Sequence, residues 1–174
     1  PVDNLRGTSV LAPYMIQKFG AHRDDLVVVS PDLGSVSRAR YFTEKLDCPL
    51  AIVDKRRPRA NVSEVMHIIG DVDGKEVILV DDMIDTAGTL EGAARALIEH
   101  GATRVCACAT HGVLSGPALE RLKNSPIEEV LLLDTIPLPP EKRIDKIKVL
   151  TVAPMFTEAI ARIYEEVSID PLFQ

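Results

Sequence analysis

Leu26-Val27-Val28-Val29-Ser30 is apolar on both of its alternating faces and lies between turn signals. A strand that must hide both faces belongs inside a sheet covered on two sides, the situation of parallel strands. Similar short runs return at 50–53, 76–80, 105–109, 129–133 and 147–152. Between them lie stretches of helical period. Residues 9–19 carry Pro13 near their start and close on Gly20; 36–46 follow a Pro-Asp-Leu-Gly-Ser turn; 88–100 stop at Gly101. Residues 117–123 open with a proline, and 157–166 form the last helix. Another strand, 65–69, and the strand 76–80 flank Asp73-Gly74, a two-residue hairpin signal. Strands alternating with helices of this length predict an α/β doubly wound domain, a mainly parallel sheet with helices on both faces. At 174 residues the chain can bury its own core, so 1–174 reads as a single domain, with 137–140 (Pro-Leu-Pro-Pro) a stiff connection inside it.

Composition excludes several classes. The net charge of −6 opposes a dedicated nucleic-acid binder, which needs a basic face for phosphates. No apolar run nears the roughly 18 residues that span a bilayer, and no charged-then-apolar leader opens the sequence. Three cysteines in no metal-like pattern suit a reducing, cytoplasmic setting, and Cys106 and Cys108, on one face of a strand, read as core.

Ligands of open α/β sheets bind beyond the carboxyl ends of the strands. Three such ends are polar here: 32–35, 55–59 and 81–89. In the last, Val77-Ile78-Leu79-Val80 runs into Asp81-Asp82, then into Asp85-Thr86-Ala87-Gly88-Thr89, which opens a helix. Thr86, Thr89 and the N–H groups around Gly88 form a phosphate site at a helix N-terminus. Gly88 lets backbone approach closely. Asp81 and Asp82 would repel a phosphate and instead suit vicinal hydroxyls or a metal, so the run as a whole describes a sugar phosphate site. The bland reading is a capped helix with solvated acids. Lys55 to Arg59 reads as a solvated basic loop, a nucleic-acid patch or a clamp for a polyphosphate, and so few charges on a −6 domain suit the clamp best. Arg38 and Arg40 read as partners of surface acids, and a lone His111 as structural.

The run 77–89 matches the thirteen-residue phosphoribosyl pyrophosphate-binding motif. Together with Pro1-Val2-Asp3-Asn4-Leu5, Val29-Ser30-Pro31-Asp32, Asp54-Lys55-Arg56-Arg57-Pro58-Arg59 and 110–118, it resembles the C-terminal half of ribose-phosphate pyrophosphokinase, the phosphoribosyl pyrophosphate synthetase family. The resemblance implies a phosphoribosyltransferase-like fold and transfer of pyrophosphate from ATP to the C1 hydroxyl of ribose 5-phosphate, releasing AMP. It places ribose 5-phosphate on Arg57, Asp81, Asp82, Asp85, Thr86, Ala87, Gly88 and Thr89, with Lys55 and Arg57 as catalytic cations. It places the pyrophosphate loop at Asp32, Gly34 and Ser35, and Mg2+ on Asp32. Family members commonly have two glycines where this chain has Gly34-Ser35, and the Cβ of Ser35 is expected to restrict that loop. Regulatory anion positions fall on Asp3, Asn4 and Ser168, where Arg6 and Asp170 depart from the usual pattern and imply weakened phosphate control. A homo-oligomer is expected. The family's adenine-binding residues, metal-binding histidine and flexible loop have no counterpart here, so the isolated chain is expected to be inactive. The alternatives are a non-catalytic ribose-phosphate-binding or regulatory relative, and a phosphoribosyltransferase.

Overall fold

The computed structural model describes residues 2–56 and 65–173. Its elements are α1 (Thr8–Phe19), β1 (Leu26–Ser30), α2 (Val36–Leu46), β2 (Leu50–Arg56), β3 (Val65–Ile69), β4 (Glu76–Ile84), α3 (Gly88–Glu99), β5 (Arg104–Gly112), α4 (Ala118–Asn124), β6 (Ile127–Leu133), β7 (Ile147–Leu150) and α5 (Ala153–Tyr164). The strands form one seven-stranded sheet in the order β3-β2-β1-β4-β5-β6-β7. Every described pairing is parallel except that of β3, which runs against β2 at one edge.

All five residues of β1 are buried, as a strand apolar on both faces requires. Alternation along the central strands divides the core in two. Val27, Val29, Val77 and Leu79 pack under Leu90, Ala94 and Leu97 of α3 and Leu122 of α4. Leu26, Val28, Ile78 and Val80 pack under Met15 of α1 and Phe42 of α2, with Cys106 and Cys108 on the same side, so both cysteines are core residues. Helices thus cover both faces of the sheet. No helix among the described residues is long and apolar enough to cross a membrane.

Four expectations change. β3 and β4 are not a hairpin, because β2 and β1 lie between them. Asp73-Gly74 does turn the chain, with Gly74 at φ +70° and the Lys75 N–H donating to Val72 O at 3.2 Å. Burying Val77 to Val80 on both faces draws β4 between β1 and β5, and that demand outweighs the local turn. Lys55, expected in a basic loop, instead belongs to a strand, since β2 continues through Lys55 and Arg56 as the partner of β3. Helix α5 begins at Ala153 rather than residue 157, with a proline in its first turn, a position that needs no N–H. Pro13 lies in the second turn of α1 rather than at its start.

Candidate active-site cleft

β1 and β4 are neighbours, but the chain leaves β1 toward β2 on one side and leaves β4 toward β5 on the other. Two segments therefore diverge at their carboxyl ends, and a crevice opens at that switch point. The segment after β1 is held by its own side chains. Ser30 Oγ donates to Asp32 O at 2.6 Å, and Asp32 Oδ1 accepts the Ser35 N–H at 2.9 Å, just where α2 starts. Ser35 has φ −93°, and neither it nor Gly34 takes a positive φ, so the Cβ at position 35 does not strain this loop. Its hydroxyl instead crosses to the other segment and donates to Asp81 Oδ1 at 2.8 Å.

The segment after β4 turns into α3 through Ala87, which adopts the left-handed φ of +60°. That conformation costs a non-glycine residue on the order of 1–2 kcal/mol and is found where surrounding structure enforces it. The enforcing contacts are visible. Leu114 N–H donates to Ile84 O and Ser115 N–H to Asp85 O, each at 3.0 Å, while Ser115 Oγ donates to the Asp85 carboxylate. Arg121 of α4 donates to Thr86 O at 3.0 Å. A Cβ at position 88 would lie 3.1 Å from Arg121 Nη1, so Gly88 serves close approach and Ala87 supplies the turn. No side chain among the described residues caps α3, which leaves its first N–H groups facing the cleft. Among the described residues neither the Thr86 nor the Thr89 hydroxyl has a protein partner.

Asp32, Asp81, Asp85, Thr86, Gly88 and Thr89 line one cleft of about 140 Å³. Asp82 does not line this cleft, although its carboxyl lies beside that of Asp81. It lines an adjoining cleft of about 380 Å³ with Asn4, Arg38, Tyr41 and His111. Burial pushes the Asp81 carboxyl above the usual range, against the opposing hydrogen bonds from Ser35 and the Asp82 N–H. Burial also acts to raise Asp82, but the Arg38 guanidinium and the Met83 N–H hold its carboxyl below that range. Arg38 therefore pairs with the two acids of the site, with Nη2 3.1 Å from Asp82 and Nη1 3.7 Å from Asp81, rather than with acids elsewhere on the surface.

Lys55 lies at the carboxyl end of β2, beside β1, on the same sheet edge. Arg57, Pro58 and Arg59 lie outside the described residues. Asp3 and Asn4 are exposed ahead of α1, and Ser168 follows α5, its hydroxyl accepting the Asp170 N–H at 3.1 Å. The tail does reach the start of α1, where Ser9 Oγ donates to Leu172 O at 3.4 Å. His111 Nδ1 is 2.8 Å from the Thr135 hydroxyl. Sequence reasoning missed Arg38, Ser115 and Arg121. Arg38 had a signal, since it sits three residues after Ser35 on one helix face. Ser115 and Arg121 reach the loop only through the tertiary fold.

No group of three or more His, Cys, Asp or Glu side chains is placed to hold a metal among the described residues. Mg2+ is commonly held by one or two carboxylates together with substrate phosphates, so Asp32, with one oxygen taken by the Ser35 N–H, still suits that ion.

An open, mainly parallel sheet with its cleft at the switch point and a helix N-terminus beside acids defines an α/β domain of the ligand-binding open-sheet class. A family model described as the phosphoribosyl synthetase-associated domain matches residues 55–174. The ribose-phosphate pyrophosphokinase of Caldanaerobacter subterraneus subsp. tengcongensis is 68% identical over 173 residues, covering 99% of this chain and 54% of its own length. That of Clostridium acetobutylicum is 63% identical over 174 residues, covering 100% and 54%. The crystal structure of phosphoribosylpyrophosphate synthetase from Mycobacterium smegmatis superimposes with a TM-score of 0.86 at 41% identity, over 95% of this chain and 53% of that one. The chain belongs to the phosphoribosyl synthetase family. It spans about half the length of the curated relatives it matches.

Proposed function

We propose that this chain supplies the ribose 5-phosphate site of a ribose-phosphate pyrophosphokinase and, joined to the rest of such an enzyme, makes phosphoribosyl pyrophosphate and AMP from ribose 5-phosphate and ATP. The observation that carries the reading is the convergence of the α3 N-terminus and Asp81 in one cleft at the switch point. The 5-phosphate lies against the first N–H groups of α3 and the free hydroxyls of Thr86 and Thr89, where donors and helix dipole act together. The ribose hydroxyls lie on the acidic side of the cleft. The anomeric oxygen then attacks the β-phosphorus of ATP, the bond from that phosphorus to the bridging oxygen of AMP breaks, and the hydroxyl proton is released. Lys55 and Arg57 stabilise charge on the transferring group, the main contribution expected in phosphoryl-type transfer. Asp32 would hold Mg2+, which supplies charge neutralisation at the pyrophosphate. The names of the relatives favour this reading over a phosphoribosyltransferase, and the retained Lys55 and Asp32 favour it over a non-catalytic relative.

Calorimetric titration of the chain with ribose 5-phosphate tests the site. Saturable binding is expected, and its loss in Asp85→Ala combined with Thr89→Ala; binding unchanged in that variant would refute the assignment. In the complete enzyme, Lys55→Ala is expected to lower kcat by orders of magnitude with ribose 5-phosphate affinity nearly constant, the signature of an interaction made in the transition state.

A further inference from the structure

Asp81 and Asp82 carry adjacent negative charges, yet each oxygen has a distinct environment. Asp81 Oδ1 accepts both the Ser35 hydroxyl and the Asp82 N–H at 2.8 Å. Its Oδ2 accepts from no N–H or hydroxyl group among the described residues. Asp82 is engaged through both oxygens, with Oδ1 accepting the Met83 N–H at 2.8 Å and Oδ2 facing Arg38. Of the two acids, Asp81 alone lines the phosphate cleft and keeps an oxygen for a ligand.

The Arg38 guanidinium holds this arrangement. Arg38 reaches Asp82 Oδ2 through Nη2, while Nη1 donates to Ser35 Oγ at 3.2 Å and lies 3.7 Å from Asp81 Oδ1. Ser35 and Asp81 stand 46 residues apart in sequence, so Arg38 and Ser35 bind the segment after β1 to the segment after β4. With a side chain 28% exposed, opposite an Asp82 side chain 50% exposed, the ion pair contributes little to stability. What it contributes is orientation. A planar, rigid fork can hold two different acceptors at fixed angles, which a lysine ammonium on a flexible stem cannot.

We propose that Arg38 is a positioning residue that keeps Asp82 turned away from the cleft and Asp81 aimed into it, and thereby sets the preference for a sugar phosphate bearing vicinal hydroxyls. The inference rests on the reading of this cleft as a ribose 5-phosphate site. Without Arg38 the two carboxylates repel each other, the Ser35 contact loosens, and the hydroxyl-binding oxygen loses its fixed direction. The phosphate end, built on α3 and braced by Arg121 and Ser115, keeps its geometry.

The test is calorimetric titration of the wild-type chain, Arg38→Ala, Arg38→Lys and Ser35→Ala with ribose 5-phosphate and with 2-deoxyribose 5-phosphate, with circular dichroism to confirm folding. The wild type is expected to prefer the ribose compound. Arg38→Ala is expected to weaken ribose 5-phosphate binding at least tenfold while changing the deoxy compound by less than about threefold. Arg38→Lys should fail to restore the preference, and Ser35→Ala should move it in the same direction by a smaller factor. Adding Asp82→Asn to Arg38→Ala should recover part of the ribose affinity by removing the repulsion. A preference that survives in Arg38→Ala, or full restoration by lysine, overturns the proposal while leaving the ribose 5-phosphate site standing. Should Arg38→Ala fail to fold, a preference unchanged in both Arg38→Lys and Ser35→Ala overturns it equally. A wild type that binds neither sugar phosphate overturns the site reading and this inference together.

Discussion

Thr89→Ala is expected to weaken ligand binding and stabilise the fold at the same time. Thr89 is the second residue of α3, it lines the phosphate cleft, and its hydroxyl has no protein partner among the described residues. A hydrogen bond to a charged group contributes about 1.5–3 kcal/mol. Its removal at the 5-phosphate corresponds to a rise of roughly 10- to 150-fold in Kd, taking 1.36 kcal/mol per factor of ten. Folding loses no intramolecular hydrogen bond. Alanine is also the better helix former, by up to about 0.7 kcal/mol, because threonine is stiff at χ1. The stability change should therefore lie between zero and a gain of about 0.7 kcal/mol. Calorimetry with ribose 5-phosphate measures the first quantity and urea unfolding the second. A Kd within threefold of wild type refutes the phosphate role of Thr89. A stability loss above about 1 kcal/mol shows that its hydroxyl is structural, contrary to the geometry.

Two further outcomes follow from contacts away from the cleft. Burial pushes the Cys48 thiol up to about 11, so at pH 8 only about one molecule in a thousand carries the thiolate there. A disulfide reagent should label the folded chain slowly at pH 8, faster as pH climbs toward 11, and promptly once urea unfolds it; fast labelling of folded chain at pH 8 would contradict the raised Cys48 thiol and the burial of Cys106 and Cys108. Lys146 Nζ donates to the carbonyls of Leu122, Lys123 and Ser125 at the end of α4, at 3.1, 3.1 and 2.8 Å. Lys146→Met keeps the stem and removes the donors, and should cost about 1–3 kcal/mol in urea unfolding.

The sequence disclosed what one residue or one local period could announce. β1 is uniformly apolar and α2 follows a turn of Pro, Asp, Gly and Ser, and both lie where the pattern put them. The loop before α3 was legible because small residues and threonines follow a buried strand. The pairing of β3 was not, since Asp73-Gly74 advertises a hairpin and only the burial of β4 on two faces forbids it. The left-handed residue was not legible either: nothing in the sequence of this loop marks Ala87, which takes that conformation where the segment after β5 and Arg121 hold the loop. Arg38 could be placed near the acids from its helix but not matched to them. An ion pair between Arg38 and Asp82, on segments far apart in sequence, leaves no periodic trace.

The position of β1 also orders the events of folding. Leu26 pairs with Glu76 and Val29 with Leu79 only after the chain has made its whole excursion through β2 and β3. The phosphate bank, by contrast, belongs to β4, α3 and β5, consecutive elements whose contacts are local. Closing the longer loop carries the larger entropic cost, so contacts of short separation form ahead of it. During refolding the anion-binding turn therefore takes shape in a sheet fragment that carries Asp81 and Asp82 but still lacks Asp32, Ser35 and Arg38 from the segment after β1. Recovery of sugar phosphate binding marks the docking of β1 against β4, and it lags the return of helical signal.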